Sequence, residues 1–510
     1  MHVRNFSLTA AYAAVLLLTC GLATANAAGK PQPAAAAPAP APSGIITTRH
    51  SVTVGGKTLA YSAHAGMLTL RDAKGEPTAN VFSVAYTLDG AAPRSRPVTF
   101  VWNGGPGSSS MWLQMGSYAP VRVQVPSNAV AAAPNTPLAP NPDSLIDTTD
   151  MVFIDAIGTG YSEIAEKGDP KMFFGIDEDA RAFAQFIRLW TTLNDRWTSP
   201  KFLFGESYGT TRAADVVNRL QDDGMAINGV VLLSSVLDFN ALDNGQGPGE
   251  DYGYIAFLPT EAAVAWYHHK VPGSPPDLAA FLNQVRDFAG GDYARALRMG
   301  DKLDSQTRAA IVARIHAFTG LDASYIEAAD LRIDPSRFQN QLLRNEGRNV
   351  GRYDGRYSGP EVDRNSASPT YDPSDTNAAS AFVGAWNHYA HDILNYKDER
   401  PYNVLDLNVN RGWKYQRGDD SNAPTVVADL RDAVVQNPYL HVLSANGYFD
   451  LATSFYGTEY LLDHLGLNAS QRARLHYAYF QSGHEVYLNH AALVQFKADM
   501  VRFYDTALAR

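Results

Sequence analysis

At 510 residues, with 45% apolar and 18% charged side chains, the chain is long enough for one large elaborated domain or several smaller ones. A formal charge of −10 and the lack of any long Lys/Arg run exclude the electrostatic attraction on which nucleic-acid binding rests. The lone cysteine, Cys20, excludes a disulfide within the chain, so the fold must rest on its core.

Residues 1–27 combine a weakly basic start at Arg4, an apolar stretch from about Leu8 to Leu22 and small residues at Ala25 and Ala27. That is the pattern of a cleavable secretory signal, and it predicts export to the periplasm or beyond. Cys20 follows Leu17-Leu18-Thr19, close to a lipoprotein processing site, so a lipid anchor through Cys20 is the alternative. No later stretch is apolar and long enough to predict a bilayer span. Residues 28–44 are an Ala/Pro-rich linker of extended character.

From residue 45 the pattern alternates apolar and polar side chains, in "SVTVGGKTLAYSA" and "NVFSVAYTL", which predicts antiparallel strands with one wet face. It then changes to unbroken apolar runs at 98–102, 151–154, 201–204, 229–233, 440–443 and 475–480. Helical periodicity joins several of them, as at Phe183, Phe186, Ile187 and Trp190 behind the acidic turn Asp177-Glu178-Asp179. Buried parallel strands flanked by helices follow. Between residues 241 and 424 the strand signal fades into helical stretches and Gly-, Asp- and Tyr-rich loops, among them "GRYDGRY" at 351–357. The predicted organisation is an α/β core over 45–240 and 425–510, interrupted by a largely helical cap insertion over 241–424.

"KFLFGESYGTTRA", residues 201–213, stops a strand at Gly205 and resumes as a helix around G-x-S-x-G. Flanking glycines at such a turn let strand and helix approach closely and hold Ser207 on a strained bend with its hydroxyl exposed. A phosphate cradle is disfavoured, since no G-x-x-x-x-G-K-[ST] pattern is present here. A serine hydroxyl needs a base, and the base an orienting acid. His484 in "SGHEV" and Asp450 in "NGYFD" follow the late strands in the order Ser, acid, His. Upstream, Asn103-Gly104-Gly105-Pro106-Gly107 ends the strand at 98–102 with a backbone-exposing loop, placed to supply oxyanion donors. His388 and His391 have metal-compatible spacing without a supporting motif, and no metal site is predicted. His268 and His269 are read as lying on a helix of the insertion.

Five stretches together, "NGGPGSSS", "FIDAIGTGYS", "GESYG", Gly447 to Asp450 and "GHEV", resemble the serine carboxypeptidase family of α/β-hydrolases, in family order along the chain. The resemblance implies a mostly parallel sheet flanked by helices and an acyl-enzyme mechanism without cofactor. Ser207 becomes the nucleophile, His484 the general base and acid, and Asp450 its partner. Backbone N–H groups of Gly105 and Tyr208 form the oxyanion hole. Asn103, Gly104 and Glu206 hold the terminal carboxylate of a peptide substrate, with Gln114 where the family has a second glutamate. Other departures are Val101 in place of Trp, Ser108 in place of Cys, Tyr448 in place of Asp and Tyr487 in place of Pro. The implied activity is removal of residues from peptide C-termini, with ester hydrolysis or acyl transfer on the same scaffold as the alternative.

Overall fold

The computed structural model describes residues 44–242, 249–418 and 424–509. The expected signal segment, Cys20 and the linker up to residue 43 lie outside them. The chain opens with three antiparallel strands, β1 (Ile46–Val54), β2 (Lys57–Arg71) and β3 (Pro77–Leu88). Exposure alternates along β1, as its alternating sequence requires of a strand with one wet face.

Six further strands carry the sheet onward: β4 (Val98–Trp102), β5 (Asp150–Ile154), β6 (Lys201–Glu206), β7 (Gly229–Leu233), β8 (His441–Gly447) and β9 (Leu475–Phe480). Their order is β1-β2-β3-β5-β4-β6-β7-β8-β9, with the short strand Glu163–Ile164 pairing off β3. From β5 to β9 all pairings are parallel. Every residue of β4, β5, β6 and β7 is buried, which explains their unbroken apolar runs: both faces are covered. β4 and β5 exchange places in the order, and in open α/β sheets ligands bind beyond the C-terminal ends of the strands at such a reversal.

Three helices matter for the site: α1 (Met111–Gly116) after β4, α2 (Ile176–Leu193) before β6 and α3 (Tyr208–Asp222) directly after β6. Between β7 and β8 the described residues add no strand to the sheet. They form helices such as Tyr252–Tyr267, Leu278–Phe288 and Ser305–Thr319, and a two-stranded ribbon, Arg348–Val350 with Ser358–Pro360. Two of these helices begin where an Asp can cap them: Asp277 accepts from Ala280 N–H and Asp304 from Thr307 N–H. His268 and His269 differ from expectation. They lie just past the end of the first helix, where His269 takes a positive φ of 57° and stops it.

Apolar side chains from the intervening helices form a core of their own, which also takes in Phe449, Leu451 and Phe455 from the segment after β8. The chain on either side of Asp450 is therefore packed against the region between β7 and β8. Among the described residues no helix is long and apolar enough to cross a membrane.

Candidate active site

Ser207 sits between β6 and α3 with φ 60° and ψ −132°, a backbone conformation that a side-chain-bearing residue adopts only when its surroundings impose it. The neighbouring glycines make room for it. A Cβ on Gly205 would lie 2.1 Å from the Gly209 carbonyl oxygen, and one on Gly209 would lie 3.0 Å from that of Trp102. Trp102 Nε1 also donates to the Gly209 carbonyl (2.8 Å), fixing the first turn of α3 against the end of β4. The Ser207 hydroxyl does not cap α3. Thr210 N–H turns back to the Ser207 carbonyl (2.8 Å), while the helix dipole makes the Tyr208 end of α3 an anion-binding end.

The Asn103–Gly107 loop lies against this helix end. A Cβ on Gly104 would be 2.4 Å from Tyr208 N, so a side chain there would occupy the space in front of that N–H. Gly105 has φ 105°, and a Cβ on it would meet the nitrogens of Gly107 and Ser108 at 2.6 Å. The Asn103 side-chain oxygen accepts from Leu113 N–H (2.9 Å), which leaves the amide N–H groups to reach Glu206 and Tyr487. Buried Arg212 donates to the Asn103 carbonyl (2.7 Å) and pairs with Asp179 (2.7 Å), tying the loop to α2 and α3.

After the late strands, Asp450 and His484 are both buried and hydrogen-bonded, Nδ1 to Oδ2 at 2.8 Å. Asp450 Oδ1 accepts from Ala452 N–H (2.8 Å) and Thr453 N–H (2.9 Å), and Oδ2 also accepts from Thr453 Oγ1 (2.5 Å). Asp450 does not cap the next helix; Ser454 does, accepting from Gly457 N–H. Burial lowers the His484 imidazole, but the charge of Asp450 and its hydrogen bond outweigh this and leave it raised. With Nδ1–H committed to Asp450, Nε2 is the nitrogen free to take a proton.

Strand β7 connects the two sides. The Leu233 carbonyl accepts from Ser207 N–H (2.9 Å), and the next residue's hydroxyl, Ser234 Oγ, donates to the His484 carbonyl (2.7 Å). Ser207 Oγ makes no hydrogen bond among the described residues, and hydrogen bonds of this kind commonly close only with substrate in place.

Glu206 is fully buried, and its Oε2 has no hydrogen-bond partner. Desolvation pushes its carboxyl up to about 8, with the hydrogen bond from Tyr487 opposing and the charge of Asp450 adding to the shift. Glu485 is raised as well, first by desolvation, against the pull of His484 and with the push of Glu206. Gln114 is not brought to this cluster by any hydrogen bond: its Nε2 donates to Tyr86 Oη (2.8 Å), which in turn meets Tyr389 Oη (3.0 Å). The hydroxyl that does reach Glu206 is that of Tyr487, Oη to Oε1 at 3.3 Å.

Sequence reasoning gave no role to Tyr487, Glu485 or Thr453. Tyr487 carried a signal, as a departure three residues after His484, but its partner is 281 positions away. Among the described residues no group of three or more His, Cys, Asp or Glu side chains could hold a metal ion. His388 and His391 are exposed and both hydrogen-bond Asp392 (2.8 and 3.0 Å).

The family model described as serine carboxypeptidase matches residues 56–496. Among solved structures, a prohormone-processing carboxypeptidase from Saccharomyces cerevisiae aligns over 87% of this chain and 91% of its own, at 16% identity and a TM-score of 0.53. A proline iminopeptidase from Mycobacterium smegmatis aligns over 90% and 98%, at 13% identity and a TM-score of 0.36. A thermostable carboxyl esterase from Bacillus coagulans aligns over 87% and 99%, at 13% and 0.35. No curated protein matches the sequence. The sheet order, the flanking helices and the yeast structure together make the fold that of an α/β-hydrolase.

Proposed function

We propose, from the premise that the chain belongs to the serine carboxypeptidase family, that it removes residues from peptide C-termini through an acyl-enzyme on Ser207. Ser207 Oγ attacks the carbonyl carbon of the last peptide bond while its proton passes to His484 Nε2. Asp450 orients the imidazole and stabilises the imidazolium. The oxyanion is met by the N–H groups of Gly105 and Tyr208, aimed at charge that develops only in the transition state. When the tetrahedral intermediate collapses, the C–N bond breaks and His484 returns the proton to the leaving amine. Water then attacks the ester by the same route, gives its proton to His484, and releases the shortened peptide and Ser207.

The observation that carries this reading is the buried Asp450–His484 hydrogen bond of 2.8 Å, anchored through β7 to the strained turn at Ser207. Asn103, Gly104 and Glu206 hold the substrate carboxylate. Two carboxylates side by side would repel, and the raised Glu206 removes that repulsion: below about pH 8 it carries a proton to donate.

A peptide with a free C-terminus, its C-terminal amide and a p-nitrophenyl ester, followed in parallel by mass spectrometry, test the proposal. Stepwise loss of C-terminal residues from the free peptide, with the amide much slower, is the expected result. One observation favours ester hydrolysis or acyl transfer instead, namely that the Gln114 amide is committed to Tyr86 and adds no donor to the carboxylate cluster. Turnover of the ester with neither peptide shortened would select that second reading.

A further inference from the structure

Residues 351–357, "GRYDGRY", come from the chain between β7 and β8, more than eighty residues from β8 in sequence, yet they contact both loops that carry the acid–base pair. The Tyr353 carbonyl accepts from His484 N–H (2.6 Å), and its ring lies 5.2 Å from the imidazole. Gly355 N–H donates to the Phe449 carbonyl (2.8 Å), one residue before Asp450. Arg356 Nη1 donates to the Gln481 carbonyl (3.1 Å), and Nη2 donates to Ser482 Oγ (3.2 Å), two residues before His484. The same guanidinium forms a buried ion pair with Asp354 (2.5 Å) and lies 5.7 Å from the centre of the Phe449 ring.

Gly483 is a glycine for this reason. A Cβ there would fall 2.4 Å from both the Tyr353 oxygen and Asp354 Cβ. An arginine is costly to bury unless its donors are satisfied, and here Asp354 and two acceptors of the His484 loop, the Gln481 carbonyl and Ser482 Oγ, satisfy them.

From these contacts we propose that Arg356, held by Asp354, is a positioning residue for the acid–base pair: it fixes the His484 loop to the Asp450 loop from outside the sheet. The inference rests on the assignment of His484 as the base. Arg356 touches neither substrate nor reacting atoms. Its effect is on where His484 stands relative to Asp450 and Ser207, and displacement of a base by about 1 Å can cost on the order of 100-fold in rate. The region between β7 and β8 then supplies part of the catalytic geometry as well as a covering.

Arg356→Lys keeps the charge and removes the fork that reaches Gln481 and Ser482. Measured per active site titrated with a fluorophosphonate, kcat is expected to fall by about tenfold or more while KM stays within about twofold. Because Asp450 is what raises His484, a loosened pair also moves the acid limb of kcat/KM to lower pH. A purely structural role would lower the melting temperature or the number of titrated sites and leave kcat per site and the acid limb unchanged; that outcome overturns the proposal. If Arg356→Lys does not fold, Ser482→Ala removes one of the two contacts to the His484 loop. It should give a smaller loss of kcat with the same direction of shift, and an unchanged profile overturns the proposal equally. Failure of the wild-type protein to react at Ser207 would instead refute the functional reading, independently of either variant.

Discussion

At Ser207 the backbone is held by close packing around glycines, Gly205 against the first turn of α3 and Gly209 against Trp102 and Asn103 at the end of β4. Asp450 and His484 are held differently, by hydrogen bonds that reach across as many as 250 positions of the chain, with Ser234, Arg356 and Tyr353 among the partners. A nucleophile at Ser207, as proposed, needs a strained backbone, which close packing around glycines can maintain. An imidazole must keep one tautomer and one orientation, which takes directed donors and acceptors. The difference predicts that variants of the elbow glycines fail in folding, whereas variants around the acid–base pair fail in rate.

The largest effects test whether the two halves work as one unit. Ser207→Ala should cut kcat by about 10⁶-fold and abolish fluorophosphonate labelling. Asp450→Asn should cost about 10⁴-fold while the fold survives, because the imidazole is then held in the wrong tautomer. A sum of the two losses in the double variant, in place of no further loss beyond Ser207→Ala, would show that the halves act separately.

Gly205→Ala tests the steric half. With a methyl 2.1 Å from the Gly209 oxygen, the turn cannot form as it stands, and a stability loss of about 3 kcal/mol or more is expected in chemical denaturation. Wild-type stability would show that the glycines are not what enforces the bend.

Tyr487→Phe and Glu206→Gln sharpen the polar half. Loss of the Tyr487 hydroxyl removes one hydrogen bond worth about 1 kcal/mol, so KM for a free C-terminal peptide should rise about fivefold and that for a neutral ester should not. In the wild type, KM for the free peptide rises as pH passes about 8 and Glu206 loses its proton. Tyr487 opposes the upward shift of Glu206, so in Tyr487→Phe that rise moves to higher pH. In Glu206→Gln it disappears.

A further effect is on stability. Glu206 binds its proton more tightly folded than unfolded, so its contribution is full below its ordinary value of 4.5 and is lost as pH rises through about 8. Glu485 and His484 are raised as well and act in the same direction. The melting temperature should therefore fall across this window, and Glu206→Gln should flatten the slope.

The contrast also explains what could be read from the sequence. The strand at 98–102, the one at 229–233 and the G-x-S-x-G turn were legible because burial on both faces and close packing leave local marks: apolar runs and glycines at fixed offsets. Asp450 and His484 could be picked out only through their order after late strands and through resemblance. Arg356 and Tyr487 could not, because their roles depend on partners 125 and 281 positions away. A buried arginine fork and an exposed one look alike in "GRYDGRY". Gln114, which family resemblance placed at the carboxylate, donates to Tyr86 Oη and makes no hydrogen bond to Asn103 or Glu206 among the described residues.

The most direct test of the central claim is to map the adduct after the wild-type protein reacts with a fluorophosphonate across a range of pH. Modification of Ser207 alone, at a rate that rises with pH as His484 loses its proton and collapses in His484→Ala, is the predicted result. A label on another residue, or a Ser207 rate indifferent to His484, would contradict it.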